Sequence, residues 1–406
     1  MHQRHMSNLR KYFIVMGFIV SVFLLSPFLP SSAHESMDSL HAKAAILIDG
    51  GNGRVLFGKE DQARLPMAST TKIMTCLYAL EHGNLTDVVT FSENAAAAPR
   101  VHLGAPAGSQ FLLSDLLYAL MLESYNDAAV AIAEHISGSV EAFCRDMTRE
   151  AKDLGCENTS FRTPNGLDKE GHYTTCYDLA LITGKALENP NFRKIIAEPS
   201  WSIKDLKNKG SYHLQNKDAF LRTYPGAIGV KTGFTSGAGY CFVGAVEASD
   251  RLLITVVLGC GWPPHRTWKW EDTKKLMDYG MKNYSMKTIS LQDELPQSLP
   301  VDRGQPASLT KTPGLPPAGS ENQTVKIPIL GPDEETLLLS EDETVEVKTL
   351  IPKILTAPVK RGDIVGRVTV TINGFTYRSY PVRAGISVKE IDYRYCLRHL
   401  IFAFQY

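Results

Sequence analysis

Short apolar runs, helical periodicity and strict alternation succeed one another along this chain. Ala44 to Ile48 is a continuous apolar run that predicts a strand, Gly50-Gly51-Asn52-Gly53 a turn, and Arg54 to Phe57 the returning partner. From Ser69 to Glu81, Ile73, Leu77 and Leu80 recur at i, i+4 and i+7, predicting a helix with one apolar face. Pro66 before it and Gly83 after it are start and stop signals. From Ala95 to about Lys194 the pattern is mostly helical. Helices are expected over Phe111 to Glu123 and Asp127 to Ile136, with a break at Ser124-Tyr125-Asn126. Ala227 to Gly233, Tyr240 to Glu247 and Leu252 to Leu258 are apolar strand-like segments, and Trp270 to Tyr284 reads as a closing helix. Residues 40–286 are thus α/β, helices packed on an antiparallel sheet.

The pattern shifts after about Met286. Residues 287–323 are rich in Pro, Gly and Ser, above all from Leu295 to Gln323, and read as a connection. In residues 324–392 strands dominate. Thr324 to Leu330 and Thr344 to Leu350 are two of them. Val368, Val370 and Ile372 alternate with polar neighbours until Asn373-Gly374 turns the chain into Phe375 and Tyr377, a β-hairpin. Pro328 places the first strand at a sheet edge. A small all-β domain is expected. In residues 393–406, Leu397, Leu400, Ile401 and Phe404 share one helical face, with Arg394 and Arg398 beside it. This fits a short amphipathic helix in peripheral contact with a membrane, and equally a helix or strand docked on the β-domain.

The 406 residues suffice for two or three domains, and 44% apolar content allows a full core. Lys plus Arg and Asp plus Glu both number 43, so no basic field points to nucleic acid. In residues 1–33, Arg4, Arg10 and Lys11 precede an apolar run from Tyr12 to Leu29 and then Ser31-Ser32-Ala33. This reads as a cleaved export signal, which places the protein in the cell envelope. The alternative is an uncleaved anchor, though Pro27 interrupts the run. The seven cysteines are odd in number and show no disulfide framework; Cys76, Cys241 and Cys260 sit in apolar segments as small hydrophobes. His213 and His265 are isolated and no Cys/His cluster has ligand spacing, so neither a metal nor another cofactor is expected.

Three motifs carry the chemistry: Ser69-Thr70-Thr71-Lys72, Ser124-Tyr125-Asn126 and Lys231-Thr232-Gly233. Each alone is weak. Ser308-Leu309-Thr310-Lys311 repeats the first among prolines, and Ser92-Glu93-Asn94 and Ser320-Glu321-Asn322 repeat the second. Lys231-Thr232-Gly233 occurs once. Ser69 falls at a helix start, where free N–H groups favour an anionic centre, and Lys72 lies one turn on. Ser69 is a nucleophile in need of a base. Lys72 serves only when neutral, and burial plus the like charge of Lys231 push it that way. Ser124 offers a hydroxyl between amine and leaving group, and Asn126 a donor and acceptor for Lys72 and the substrate amide. Lys231 and Thr232 suit a carboxylate. The backbone N–H groups of Ser69 and Phe234 are the expected oxyanion donors. This is a serine acyl-transfer set without a histidine–aspartate pair.

The sequence resembles the D-alanyl-D-alanine carboxypeptidases, low-molecular-weight penicillin-binding proteins of serine peptidase type. Beyond the three motifs, the segments Thr163–Leu167, His172–Asp178, Gly229–Thr235 and Ala357–Gly366 follow the family's pattern, and the resemblance runs from about His41 to Ile391. It implies a β-lactamase/transpeptidase-like catalytic domain followed by a β-rich one. It also implies removal of the terminal D-alanine from peptidoglycan stem peptides, and acylation by β-lactam antibiotics. Lys231, Thr232, Gly233, Phe234 and Thr235 would bind substrate. Two departures stand out. Tyr125 fills a position often small in the family, and the arginine that helps bind the substrate carboxylate has two candidates, Arg266 and Lys269. The competing activities are a β-lactamase, for which Glu170 lies in the right general stretch, a DD-endopeptidase, and a non-catalytic penicillin sensor.

Overall fold

The computed structural model describes residues 39–207, 210–306 and 325–404. The expected export signal, the Ser308 and Ser320 motif copies and residues 307–323 of the Pro-rich connection lie outside them. The first strand, β1 (Ala44–Asp49), is buried at every position. It turns into β2 (Val55–Lys59) where Asp49 accepts from the Gly51 N–H at 2.9 Å and from Asn52 Nδ2 at 2.8 Å. Helices α1 (Lys72–His82), α2 (Asn126–Ser137) and α3 (Cys176–Glu188) follow. Next come β3 (Ala227–Thr235), β4 (Gly239–Ala248), β5 (Arg251–Leu258) and α4 (Trp268–Asn283). The strands form one antiparallel sheet in the order β2-β1-β5-β4-β3. Both faces are covered, which is why β1 is apolar on both. Leu47 and Leu253 meet α4 at Gly280, while Ile254 meets α3 at Gly184. Ile46, Ile48 and Val256 join the large core that also holds Ile73, Leu77 and Ile182.

The helix expected from Phe111 is shorter. Gln110–Leu112 pairs as a strand with Val88–Thr90, an α-helix covers Leu113–Tyr118, and a single π turn covers Ala119–Glu123. Pairing with Val89 overrides the helical pattern at Phe111.

The C-terminal half is β-rich, with a six-stranded sheet around a core of its own, including Leu299, Ile327, Val368 and Val382. The hairpin forms as expected, Ile364–Ile372 against Phe375–Ala384, with Asn373 and Gly374 at φ 51° and 81°. Two expectations fail. The Pro-rich connection contains strands: Tyr284–Ser290 pairs with Glu334–Ser340, and Ser298–Asp302 pairs with Val325–Leu330. Pro328 is not on an edge strand, because Val325–Leu330 lies between Ser298–Asp302 and Phe375–Ala384. It is tolerated there because pairing to the latter strand involves only Ile329 and Leu330, while Pro328 supplies its carbonyl to the Gly385 N–H. Arg54, just before β2, bonds the Leu338 carbonyl and pairs with Glu343, and the Tyr284 hydroxyl donates to the Leu56 carbonyl at 2.9 Å. The two halves are thereby tied.

The tail is a helix, α5 (Tyr393–Phe404). Leu397, Leu400 and Ile401 are 43%, 37% and 52% exposed, and the Phe404 side chain lies outside the described residues. Among the described residues no helix is long and apolar enough to cross a membrane.

Candidate active site

Ser69 sits one step earlier than a helix start. Ala68–Thr71 is a 3₁₀ turn, and the α-helix begins at Lys72. The tighter turn has three residues per repeat, so side chains three apart eclipse. Ser69 and Lys72 are thus stacked, with Lys72 Nζ 3.0 Å from Ser69 Oγ. The helix is also buried beyond its Ile73–Leu77–Leu80 face, since every residue from Lys72 to Ala79 is inside. Ser92, from the second motif's nearby copy, caps a short helix by accepting from the Ala95 N–H, and its hydroxyl donates to Glu134 Oε2 at 2.6 Å.

Lys72 has two further acceptors, Asn126 Oδ1 at 2.9 Å and the Asn165 carbonyl at 2.5 Å. A neutral amine has two N–H donors and one lone pair. In that state Asn126 and Asn165 would take the two donors and leave the lone pair facing Ser69 Oγ. Burial, then the Lys231 charge, holds Lys72 well below the usual lysine range, and Asp127 opposes this only partly. Asn126 is the first residue of α2, and its Nδ2 is fixed by donating to the Pro99 carbonyl at 3.0 Å. Ser124 closes the π turn in the left-handed region, at φ 66°. Its hydroxyl is buried and has no partner among the described residues, a state that a buried polar group rarely keeps without a use.

Lys231 is 2% exposed on β3. Burial lowers it to about 8, against the pull of Asp218 and Glu123. Asp218 is itself buried and pushed up to about 6. Gly233 brings β3 against the Ser69 turn: a Cβ there would lie 3.0 Å from the Ser69 nitrogen and 3.1 Å from that of Thr70. Phe234 follows, its ring half-exposed and packed on Tyr240 at 4.6 Å. The Thr235 hydroxyl donates to Asp168 Oδ1 at 2.8 Å, tying the strand end to the Asn165 loop. Thr232 lies between Lys231 and Gly233 and is half-buried. Of the two cation candidates, Lys269 is buried, donates to the Arg266 carbonyl at 2.6 Å and lies over the Tyr240 and Trp270 rings. Arg266 is exposed. Glu170 is exposed as well.

Ser69, Lys72 and Asn126 thus meet directly, with β3 alongside. The motifs do not point to Asn165, whose contribution is a main-chain carbonyl, nor to Gly166. A Cβ on Gly166, which is at φ 85°, would stand 1.9 Å from the Ala68 oxygen. The only signal for either was membership of the Thr163–Leu167 segment. Cysteine nucleophiles are excluded at the core: burial holds Cys144, Cys156 and Cys241 at about 12.

A sequence profile described as D-alanyl-D-alanine carboxypeptidase matches residues 31–261. The D-alanyl-D-alanine carboxypeptidase DacF of Bacillus subtilis is 30% identical over 386 residues, 94% of this chain and 94% of that protein. Penicillin binding protein 5 of Haemophilus influenzae superposes with a TM-score of 0.70 at 26% identity, covering 86% of this chain and 98% of the other. A variant of a Streptomyces DD-transpeptidase superposes with a TM-score of 0.55 at 30% identity, and 99% of it is matched by 60% of this chain.

Proposed function

The chain belongs to the D-alanyl-D-alanine carboxypeptidase family and is a serine-type, penicillin-binding enzyme of transpeptidase fold; from that premise we propose which residues do the work. Ser69 Oγ attacks the carbonyl carbon of the penultimate D-alanine of a stem pentapeptide, and its proton passes to Lys72. The oxyanion is held by the N–H groups of Ser69 and Phe234. The Ser124 hydroxyl hands a proton to the departing D-alanine nitrogen and is resupplied from Lys72. Water then cleaves the ester at Ser69 by the same groups in reverse. Lys231 and Thr232, with Gly233 and Thr235 shaping the strand, receive the terminal carboxylate. Arg266 is the second cation, since the Lys269 ammonium is already used inside the protein.

The observation that carries this is a fully buried amine 3.0 Å from Ser69 Oγ, its other two contacts both acceptors. The test is mass spectrometry. The protein should release one D-alanine from a synthetic pentapeptide, and a penicillin adduct should map to the peptide containing Ser69. An adduct on Ser124 or Ser308 would sink the assignment.

Residues 1–33 are proposed as an export signal and residues 40–286 as the catalytic domain, with the enzyme working in the cell envelope on peptidoglycan. Helix α5 is proposed as a peripheral membrane contact, supported by its exposed Leu397, Leu400 and Ile401. Flotation with anionic vesicles at low salt tests it: a protein that stays wholly unbound has no such contact.

A further inference from the structure

Behind the nucleophile's turn stands a histidine that none of these steps uses. His172 is buried and both its ring nitrogens are engaged. The Arg162 backbone N–H donates to Nδ1 at 3.0 Å. A backbone amide can only donate, so Nδ1 is unprotonated and the neutral ring carries its proton on Nε2. Burial reinforces this by lowering His172 to about 4. Nε2 lies 2.9 Å from Thr71 Oγ1 and so donates to it. Thr71 Oγ1 in turn donates to the Ala68 carbonyl at 2.8 Å. That carbonyl belongs to the peptide unit whose nitrogen is the Ser69 N–H.

The protons all point one way, from the imidazole through the hydroxyl into the carbonyl. A hydrogen bond accepted by a peptide oxygen draws charge through the conjugated C–N bond and makes the N–H at its other end a stronger donor. The same peptide is held in an unusual orientation. Ala68 is at φ 49°, a left-handed conformation that residues other than glycine keep only where their surroundings over-determine it. Thr71 grips the Ala68 oxygen on one side, and the Gly166 backbone crowds it so closely that no side chain fits there.

We infer that His172 and Thr71 are positioning residues for the acyl transfer: their hydrogen-bond chain into the Ala68 carbonyl aims and polarises the Ala68–Ser69 peptide, making the Ser69 N–H a preorganised oxyanion donor. The inference rests on the reading of Ser69 as nucleophile and of its N–H as one of the two donors. Losing an oxyanion donor outright costs about 10²–10³-fold in rate. The relay only orients and strengthens one, so its loss is expected to cost roughly 10-fold.

The test compares Thr71→Val, which removes the hydroxyl at nearly constant shape, with Thr71→Ser, which keeps it. Each is assayed in the full-length protein with a fluorescent penicillin, separating the initial dissociation constant from the acylation rate constant and titrating active sites at completion. Thr71→Val should acylate about 10-fold more slowly with unchanged initial binding and a full titre. Thr71→Ser should recover most of the rate. At the histidine, Gln can present a donor where Nε2 stood, whereas Asn reaches only the Nδ1 position. His172→Gln should therefore outpace His172→Asn, and this pair decides the matter if Thr71→Val does not fold. Wild-type acylation in Thr71→Val, or a loss seen only as a reduced titre, overturns the relay, as does equal acylation by the two His172 variants. Ser69→Ala separates the underlying reading: an adduct that persists in it refutes Ser69 as nucleophile, whatever Thr71 does.

Discussion

Replacing Asn126 with aspartate tests the protonation state of Lys72 with almost no change of shape. The new carboxylate oxygen would stand where Asn126 Oδ1 now lies, 2.9 Å from Lys72 Nζ. At an effective dielectric constant of about 20, a full charge pair at that distance is worth about 6 kcal/mol, or about 4 pKa units. Burial opposes ionisation of the new carboxylate too, so about 2–4 units is the working range. Its sign is opposite to that of the two influences now lowering Lys72, burial and Lys231. Lys72 would be held as the ammonium at neutral pH. Acylation by a penicillin at pH 7 should fall about 10²–10⁴-fold and then climb tenfold per pH unit as the base is regenerated. The assay is the acylation rate constant of Asn126→Asp from pH 6 to 10, beside Asn126→Ala. The alanine variant removes the contact without adding charge, so its profile should be low but not displaced. If both variants are slowed equally with superimposable pH profiles, Asn126 is not setting the state of Lys72, and the neutral-base reading fails.

The two lysines should fail differently. Lys72→Arg should abolish acylation, because guanidinium keeps its proton, while Lys231→Arg should keep part of it; equal losses would contradict the division. In the free wild-type enzyme, recognition of the substrate carboxylate should weaken as pH rises through about 8, where Lys231 loses its charge; a capture rate flat to pH 10 would exclude a role for that charge. Arg54→Ala should leave penicillin acylation unchanged but remove the cation from Glu343, which keeps the Ser340 N–H, and the donor from the Leu338 carbonyl, lowering stability by about 1–3 kcal/mol in a denaturant melt; an unchanged midpoint would mean the tie contributes nothing. A chain ending at Ser290 should still be acylated if it folds, since the proposed site residues all precede that point, and a well-folded but inert product would show that the β-rich half completes the site.

The proposed site side chains were legible in the sequence because Ser69, Lys72, Ser124, Asn126 and Lys231 carry distinctive functional groups in recognisable motifs. Asn165 was not, because what it offers Lys72 is a carbonyl that every residue has. Nor was the left-handed turn at Ala68, which alanine does not favour and which Gly166 and Thr71 impose from outside. Strands β1 and β3 to β5 were readable from continuous apolar runs, as expected where a sheet is covered on both faces. The strand Ser298–Asp302 was hidden by Pro300 and its Pro-rich flank, although Leu299 and Val301 do face inward. The tail's stripe was visible in the sequence, but whether it was covered was a question of tertiary structure.

The pairing of β1 also has a consequence for the order in which the molecule can be assembled. β1 lies near the start of the chain, yet besides β2 its neighbour is β5, with Ala44 opposite Leu258 and Asp49 opposite Leu253. During synthesis the second edge of this apolar strand therefore waits unpaired until some 200 residues more have emerged, and a contact so distant in sequence is slow to close. Until then Ser69 and Lys231 have no common scaffold. Penicillin capture should thus appear late in refolding, after the helical signal, when monitored by stopped-flow dichroism and quenched acylation.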